Sequence, residues 1–416
     1  MLGRIALHHI GGRNGSRVFP LLKTFEKDFV NVLYDADKDC IEHIKEQNPQ
    51  AGFKTYVLPY CLGRSNGQAE FNLNYDPYTS SLLKTNAAFS RCYQFCGNLD
   101  SVWEEASRTM RSVTVEVFAL DSILGARSDL PKPDFLSIDT QGSEYDILLG
   151  AKGLLEKDIL GLMVEVEFKE LYKGQALFGD TQELLLSRGF EFIKFSHIGE
   201  IAPYRAPIGL RAEGEQVFAD ALFLKKHDLI GSSTREDYIK LRKLAFFSIA
   251  FNQLERGFLY LERSKETQVS RQALSQLQGL SYLRFLEELE RRVSFMKKQF
   301  PVTFSDVYSY EESRSRFDSS TRMAKRSSGI YDRLVYALKK NRVLYKILRG
   351  IRDILIGAVA WLNYNSRLLL SPRTPVETLF YEYGLRGLAK KVRLNRIYQA
   401  THVKLKNNKK LGSSKK

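Results

Sequence analysis

The first 227 residues alternate short apolar, β-branched runs with helical patterns, and this alternation limits the fold more than any other feature of the chain. Strands that each lead into a helix build a mostly parallel sheet with helices on its faces, an α/β architecture. Arg4–Ile10 reads as the first strand, ending in Gly11-Gly12-Arg13-Asn14-Gly15. A helix over Val18–Lys27 leads to a second strand, Phe29–Tyr34, which ends at Asp35. Lys54–Pro59 is a third strand and Gly67–Asn74 an added edge strand, while Val113–Phe118, Asp134–Asp139 and Leu160–Glu167 continue the series. Phe190–Phe195 and Gln216–Leu224 form a closing antiparallel pair. Tyr75–Arg111 is poor in periodicity and reads as a long excursion or lid, the kind of loop that tends to be functional or disordered.

A glycine turn between a strand and a helix lets backbone N–H groups approach a ligand closely. Gly11, Gly12, Asn14 and Gly15 are therefore candidate cofactor contacts. Asp35 lies twenty residues after Gly15, at the tip of the next strand, where a carboxylate can accept both hydroxyls of an adenosine ribose. These features alone suit NAD and S-adenosylmethionine equally.

The segment Asp134-Phe135-Leu136-Ser137-Ile138-Asp139-Thr140-Gln141-Gly142-Ser143-Glu144, running on to Leu149-Gly150-Ala151, separates the two. It resembles the hallmark motif of the FkbM family of methyltransferases. Other stretches fall in the family's order: Cys61–Leu73, Thr79-Ser80-Ser81-Leu82, Leu120–Leu124, Glu165-Val166-Glu167-Phe168 and Asp220–Phe223. The resemblance spans about residues 4–225. It implies a class I methyltransferase sheet of seven strands with the last one antiparallel, S-adenosyl-L-methionine as cofactor, and transfer of a methyl to a hydroxyl, on a sugar of a glycan or glycolipid. The chain departs from the family at His9, where an Asp usually ends the first strand; His9 itself, Asn14 or Asp139 would have to take over that work.

An alcohol acceptor must lose its proton as it attacks, so a carboxylate or imidazole is expected within reach. Asp139 is the first candidate base, at the carboxyl edge of the sheet where ligands bind. Glu165, which shares a strand face with Glu167, and His9 are the other catalytic candidates. Glu144 reads as a helix-start residue.

Beyond Asp228 the texture is helical. Arg235–Ser264 and Val269–Gln299 suggest an antiparallel pair, so the chain divides into a methyltransferase domain (1–227), a helical pair (228–300), a linker (301–329), a basic helical region (330–403) and a basic disordered tail (404–416). The net charge of +15 is unevenly placed: Thr321–Lys416 carries 23 Lys and Arg against 4 Asp and Glu, the preceding residues 40 against 44. Such a segment attracts a polyanion. An anionic membrane surface is the first partner considered, with a lipid-linked sugar as substrate, and nucleic acid ranks below it because no recognised module is present. The competing readings are an RNA methyltransferase guided by the basic region, and a binding or scaffold protein with a degenerate methyltransferase domain. Four cysteines (Cys40, Cys61, Cys92, Cys96) make no disulfide framework, and Cys92-x-x-x-Cys96 lacks a second pair, so a cytoplasmic protein without a bound metal is expected. The longest apolar stretch, Ile354–Leu362, is too short to cross a bilayer.

Overall fold

A computed structural model describes residues 3–11, 22–36, 54–90, 93–95, 102–203, 214–267, 279–294 and 373–394. Its strands are β1 (Ile5–Ile10), β2 (Phe29–Tyr34), β3 (Lys54–Leu58), β4 (Cys61–Leu62), β5 (Gly67–Asn74), β6 (Tyr93–Phe95), β7 (Thr109–Phe118), β8 (Phe135–Ile138), β9 (Gly161–Glu167), β10 (Phe190–Pro203) and β11 (Glu215–Lys225). The main sheet runs β3-β2-β1-β8-β9-β11-β10-β6. Strands β3, β2, β1, β8 and β9 are parallel, and β11 lies antiparallel between β9 and β10. Seven strands with the last one reversed make the class I methyltransferase sheet.

All residues of β1, β2 and β8 are buried, which is why they read as continuous apolar runs rather than alternating ones. His8 sits in this interior because both ring nitrogens find partners, Nδ1 with the Tyr34 hydroxyl and Nε2 with the Pro131 carbonyl, each at 3.0 Å. Burial lowers its pKa to about 3, so the ring is neutral.

Two expectations change. Gly67–Asn74 does not extend the main sheet: β5 pairs with β7, and β7 with β4, as a separate three-stranded sheet. The stretch Tyr75–Arg111 contains β6, which pairs with β10 and adds an eighth strand to the main sheet. These pairings join segments far apart in sequence, and periodicity carries no information about partners.

The helices that begin at Arg235, Leu254 and Ser281 pack at the amino-terminal edge of the sheet. Arg235–Ala250 starts from a Thr234 cap, whose hydroxyl accepts from the Asp237 N–H at 3.0 Å. The helix expected over 235–264 is broken: Asn252 takes φ 61°, and a second helix, Leu254–Lys265, begins just beyond it. Phe246 packs edge-on against Phe25, and Phe247 and Phe251 both meet Phe135 at the start of β8. The helix Ser281–Ser294 adds Tyr282, whose hydroxyl donates to the Gly3 carbonyl at 2.8 Å.

Met1–Glu290 forms one compact unit and Arg291–Lys416 a second. Within the second, Thr374 caps the helix Pro375–Glu382, and Arg292 pairs with Glu382 at 2.6 Å. Most of the basic region, including the apolar stretch Ile354–Leu362, lies outside the described residues. Among the described residues, no helix is long and apolar enough to cross a membrane.

Candidate functional site

The carboxyl ends of β1, β2 and β8 meet at a cavity of about 230 Å³, whose lining includes Gly11, Asp35, Tyr60, Tyr78, Asp139 and Gln141. Backbone bonds fix the three strand tips relative to one another. The Gly11 N–H donates to the Tyr34 carbonyl at 3.1 Å, and the Asp139 N–H to the Ile10 carbonyl at 3.0 Å. Gly11 has φ +87°, and a Cβ on it would lie 1.7 Å from the Asp139 carbonyl oxygen. Only glycine fits there, first because of β8 and not only because of a ligand. Gly12, Asn14 and Gly15 fall outside the described residues.

Asp35 stands at the tip of β2, its N–H donating to the Leu58 carbonyl at 3.3 Å, and shares the cavity with Asp139. His9 is buried, whereas its neighbours Ile10 and Gly11 line the cavity. Burial holds its imidazole below the usual range, opposed by the charge of Asp139, the Gly11 backbone and the charge of Asp35. Its Nδ1 has no hydrogen-bond partner among the described residues.

The loop after β8 folds around a carboxylate. Glu144 Oε1 accepts from the Thr140 N–H at 2.6 Å and from its hydroxyl at 3.0 Å, while Oε2 accepts from the Gly142 N–H at 2.9 Å. Glu144 thus opens the helix Glu144–Leu149 and ties the preceding turn to it. Burial pushes its carboxyl up to about 7 against the pull of these donors.

Glu165 and Glu167 share a face of β9, as their spacing predicts, but they lie behind the cavity wall rather than in it. Gln141 makes the connection, its Nε2 donating to Asp139 Oδ1 and to Glu165 Oε2, both at 2.9 Å. One carboxylate oxygen from each of Glu144, Glu165 and Glu167 falls within 4.8 Å of the others, a spacing a divalent cation could also use. Burial raises Glu165 well above the usual carboxylate range, reinforced by the charges of Asp139 and Glu167. Glu167 is raised in the same way, by burial and then by Glu144. Burial and mutual repulsion thus favour the protonated forms of the carboxyls behind Asp139.

The small sheet and the turn after it roof the cavity with Phe71, Leu73, Tyr78 and Leu82. Ser81 fixes this roof to the loop, its hydroxyl donating to the Gln141 carbonyl at 2.6 Å, which gives the Ser80-Ser81-Leu82 motif a physical role. A Cβ on Gly150 would lie 2.2 Å from the Gly63 carbonyl oxygen, so the Leu149-Gly150-Ala151 motif marks a close backbone approach to the small sheet. Sequence reasoning missed Gln141 and Tyr172, whose hydroxyl donates to the Thr79 carbonyl at 2.9 Å and lies 3.3 Å from Gln141 Oε1. The available signal was a long amide side chain just before Gly142 in a turn after a strand.

Residues 9–192 match the sequence model described as the methyltransferase FkbM domain. Among solved structures, the chain is similar to a methyltransferase FkbM from Methylobacillus flagellatus KT at 12% identity, over 53% of this chain and 44% of that one, with a TM-score of 0.30. It is also similar to magnesium protoporphyrin IX methyltransferase from Synechocystis PCC 6803, a structure with bound SAM, at 9% identity over 54% and 71% of the two chains, with a TM-score of 0.27. The chain thus spans less than half the length of the first of these proteins. No curated protein matches it. The matched residues are those that carry the end of the glycine-ended first strand, the Asp139–Glu144 loop and the cavity between them, so the likeness to the methyltransferase FkbM domain covers residues 9–192 of the chain.

Proposed function

We propose that residues 1–227 transfer a methyl group from S-adenosylmethionine to a hydroxyl oxygen, on a sugar of a glycan or lipid-linked glycan. The observation that carries this reading is the sharing of one cavity by Asp35 at the tip of β2 and Asp139 at the tip of β8. Asp35 stands where a carboxylate would accept both ribose hydroxyls, and Tyr60 and Leu62 supply flat and apolar wall beside it. The two aspartates also suit a cofactor whose reactive centre is a cation.

When bound, S-adenosylmethionine supplies an electrophilic methyl on a positively charged sulfur. The chain's part is alignment and proton removal. Asp35 would hold the cofactor's ribose, and Asp139 would accept the proton of the acceptor hydroxyl. Gln141 donates to Oδ1 of Asp139, and the buried Glu165 carboxyl meets the same aspartate. The roof residues Phe71 and Leu73 set apolar surface over the transfer.

Isothermal titration with S-adenosylhomocysteine tests the reading. One saturable site per chain is expected. Absence of heat from well-folded protein overturns it in favour of a scaffold with a degenerate domain.

A further inference from the structure

Gln141 holds a backbone conformation that side chains with a Cβ seldom take. Its φ is +59°, in the left-handed region, where glycine or asparagine fits with less strain. Four contacts hold it there. Its carbonyl accepts from Ser81 Oγ at 2.6 Å, its Oε1 faces the Tyr172 hydroxyl at 3.3 Å, and its Nε2 donates to Asp139 and Glu165 at 2.9 Å each. A non-glycine residue over-determined in this way beside a cavity points to a function for its side chain.

We propose that Gln141 is the positioning residue for Asp139, fixing the carboxylate beside Glu165 so that it meets the proton of the acceptor; this rests on the methyl-transfer reading above. The side chain is specific for the task. Asparagine would relieve the backbone but is one methylene too short to bridge the two carboxylates. Glutamate has the reach but would add another carboxylate to Asp139, Glu144, Glu165 and Glu167. Through Ser81 and Tyr172 the same residue ties the aim of Asp139 to the placement of the roof.

The test needs no acceptor. Sinefungin carries a protonated amine where S-adenosylmethionine carries its reactive methyl, so its affinity relative to S-adenosylhomocysteine reports a carboxylate held at that point. In the wild type, sinefungin is expected to bind at least about tenfold tighter, the scale of one charge-assisted hydrogen bond. Asp139→Asn is expected to bring the ratio close to one. Gln141→Ala and Gln141→Asn are expected to lower it about fivefold or more, with S-adenosylhomocysteine affinity within twofold of wild type. A merely structural role would weaken both ligands together. Asn tolerates the left-handed backbone, so this variant keeps the test open should Gln141→Ala fail to fold. A ratio that stays high in both Gln141 variants overturns the positioning role alone. A ratio insensitive to Asp139→Asn overturns it by removing Asp139 from the methyl position. No binding of S-adenosylhomocysteine by folded wild-type protein overturns both readings.

Discussion

Strand β8 is four residues long and has an aspartate on each side of it, and the two meet opposite surroundings. Asp134, at the amino end, accepts from the Ala6 N–H at 2.8 Å and from Lys243 Nζ at 2.7 Å, under helices whose phenylalanines seal that edge. Asp139, at the carboxyl end, is met by the neutral amide of Gln141 and by carboxylates that raise one another's affinity for protons. One edge of the sheet neutralises its charge and serves stability. The other gathers like charges against a cavity, which costs stability and leaves groups able to act on a ligand.

The comparison can be broken first at the amino end. Asp134→Ala leaves Lys243 buried without its partner and the Ala6 N–H without an acceptor, so it should destabilise the protein by about 3–5 kcal/mol. Urea unfolding measures this, and S-adenosylhomocysteine affinity of the folded fraction should stay unchanged. A similar loss of affinity would mean that the edges are not independent.

At the carboxyl end the expected effect is smaller and falls on binding. Asp35→Ala should weaken S-adenosylhomocysteine by about 30-fold, or about 2 kcal/mol for lost hydrogen bonds to a charged acceptor, with little change in melting temperature. An unchanged affinity would place the ribose elsewhere.

The smallest effect sharpens the electrostatic contrast. Glu167 has a folded-state pKa raised above its ordinary value of 4.5, so the stability its protonation contributes is complete below that value and is lost as pH rises through the folded pKa. Glu167→Gln mimics the protonated form. Relative to wild type it should gain about 1 kcal/mol on the alkaline side and little near pH 4, read from melting curves across pH. A difference that does not vary with pH would show that Glu167 does not titrate in this range.

The carboxyl edge was more legible in sequence than the sealed one. Gly11, Asp35 and Asp139 stand at strand ends, and strand ends follow from the alternation of apolar runs and turns. The amino edge depends on Phe246, Phe247 and Phe251 finding Phe25 and Phe135, and helical periodicity shows that such residues are buried without showing against what. The separate sheet of β4, β7 and β5 was hidden for a similar reason, since β4 is two residues long and its partner lies more than fifty residues away. Gln141 escaped because its importance lies in a backbone dihedral and a bridge between two acids, and composition encodes neither. His9 was noticed as a departure, but only the structure buries it beside the cavity-lining Ile10 and Gly11, within electrostatic reach of Asp139 and Asp35.

The close approach of Gly11 to the Asp139 carbonyl has a mechanical consequence. With no room for even one carbon between them, the tips of β1 and β8 behave as a single plank, and thermal motion carries Gly11 and Asp139 together. Their separation is a constant of the scaffold. Any change in the width of the cavity must then come from the opposite wall, where the small sheet meets the helix end at the paired backbones of Gly63 and Gly150.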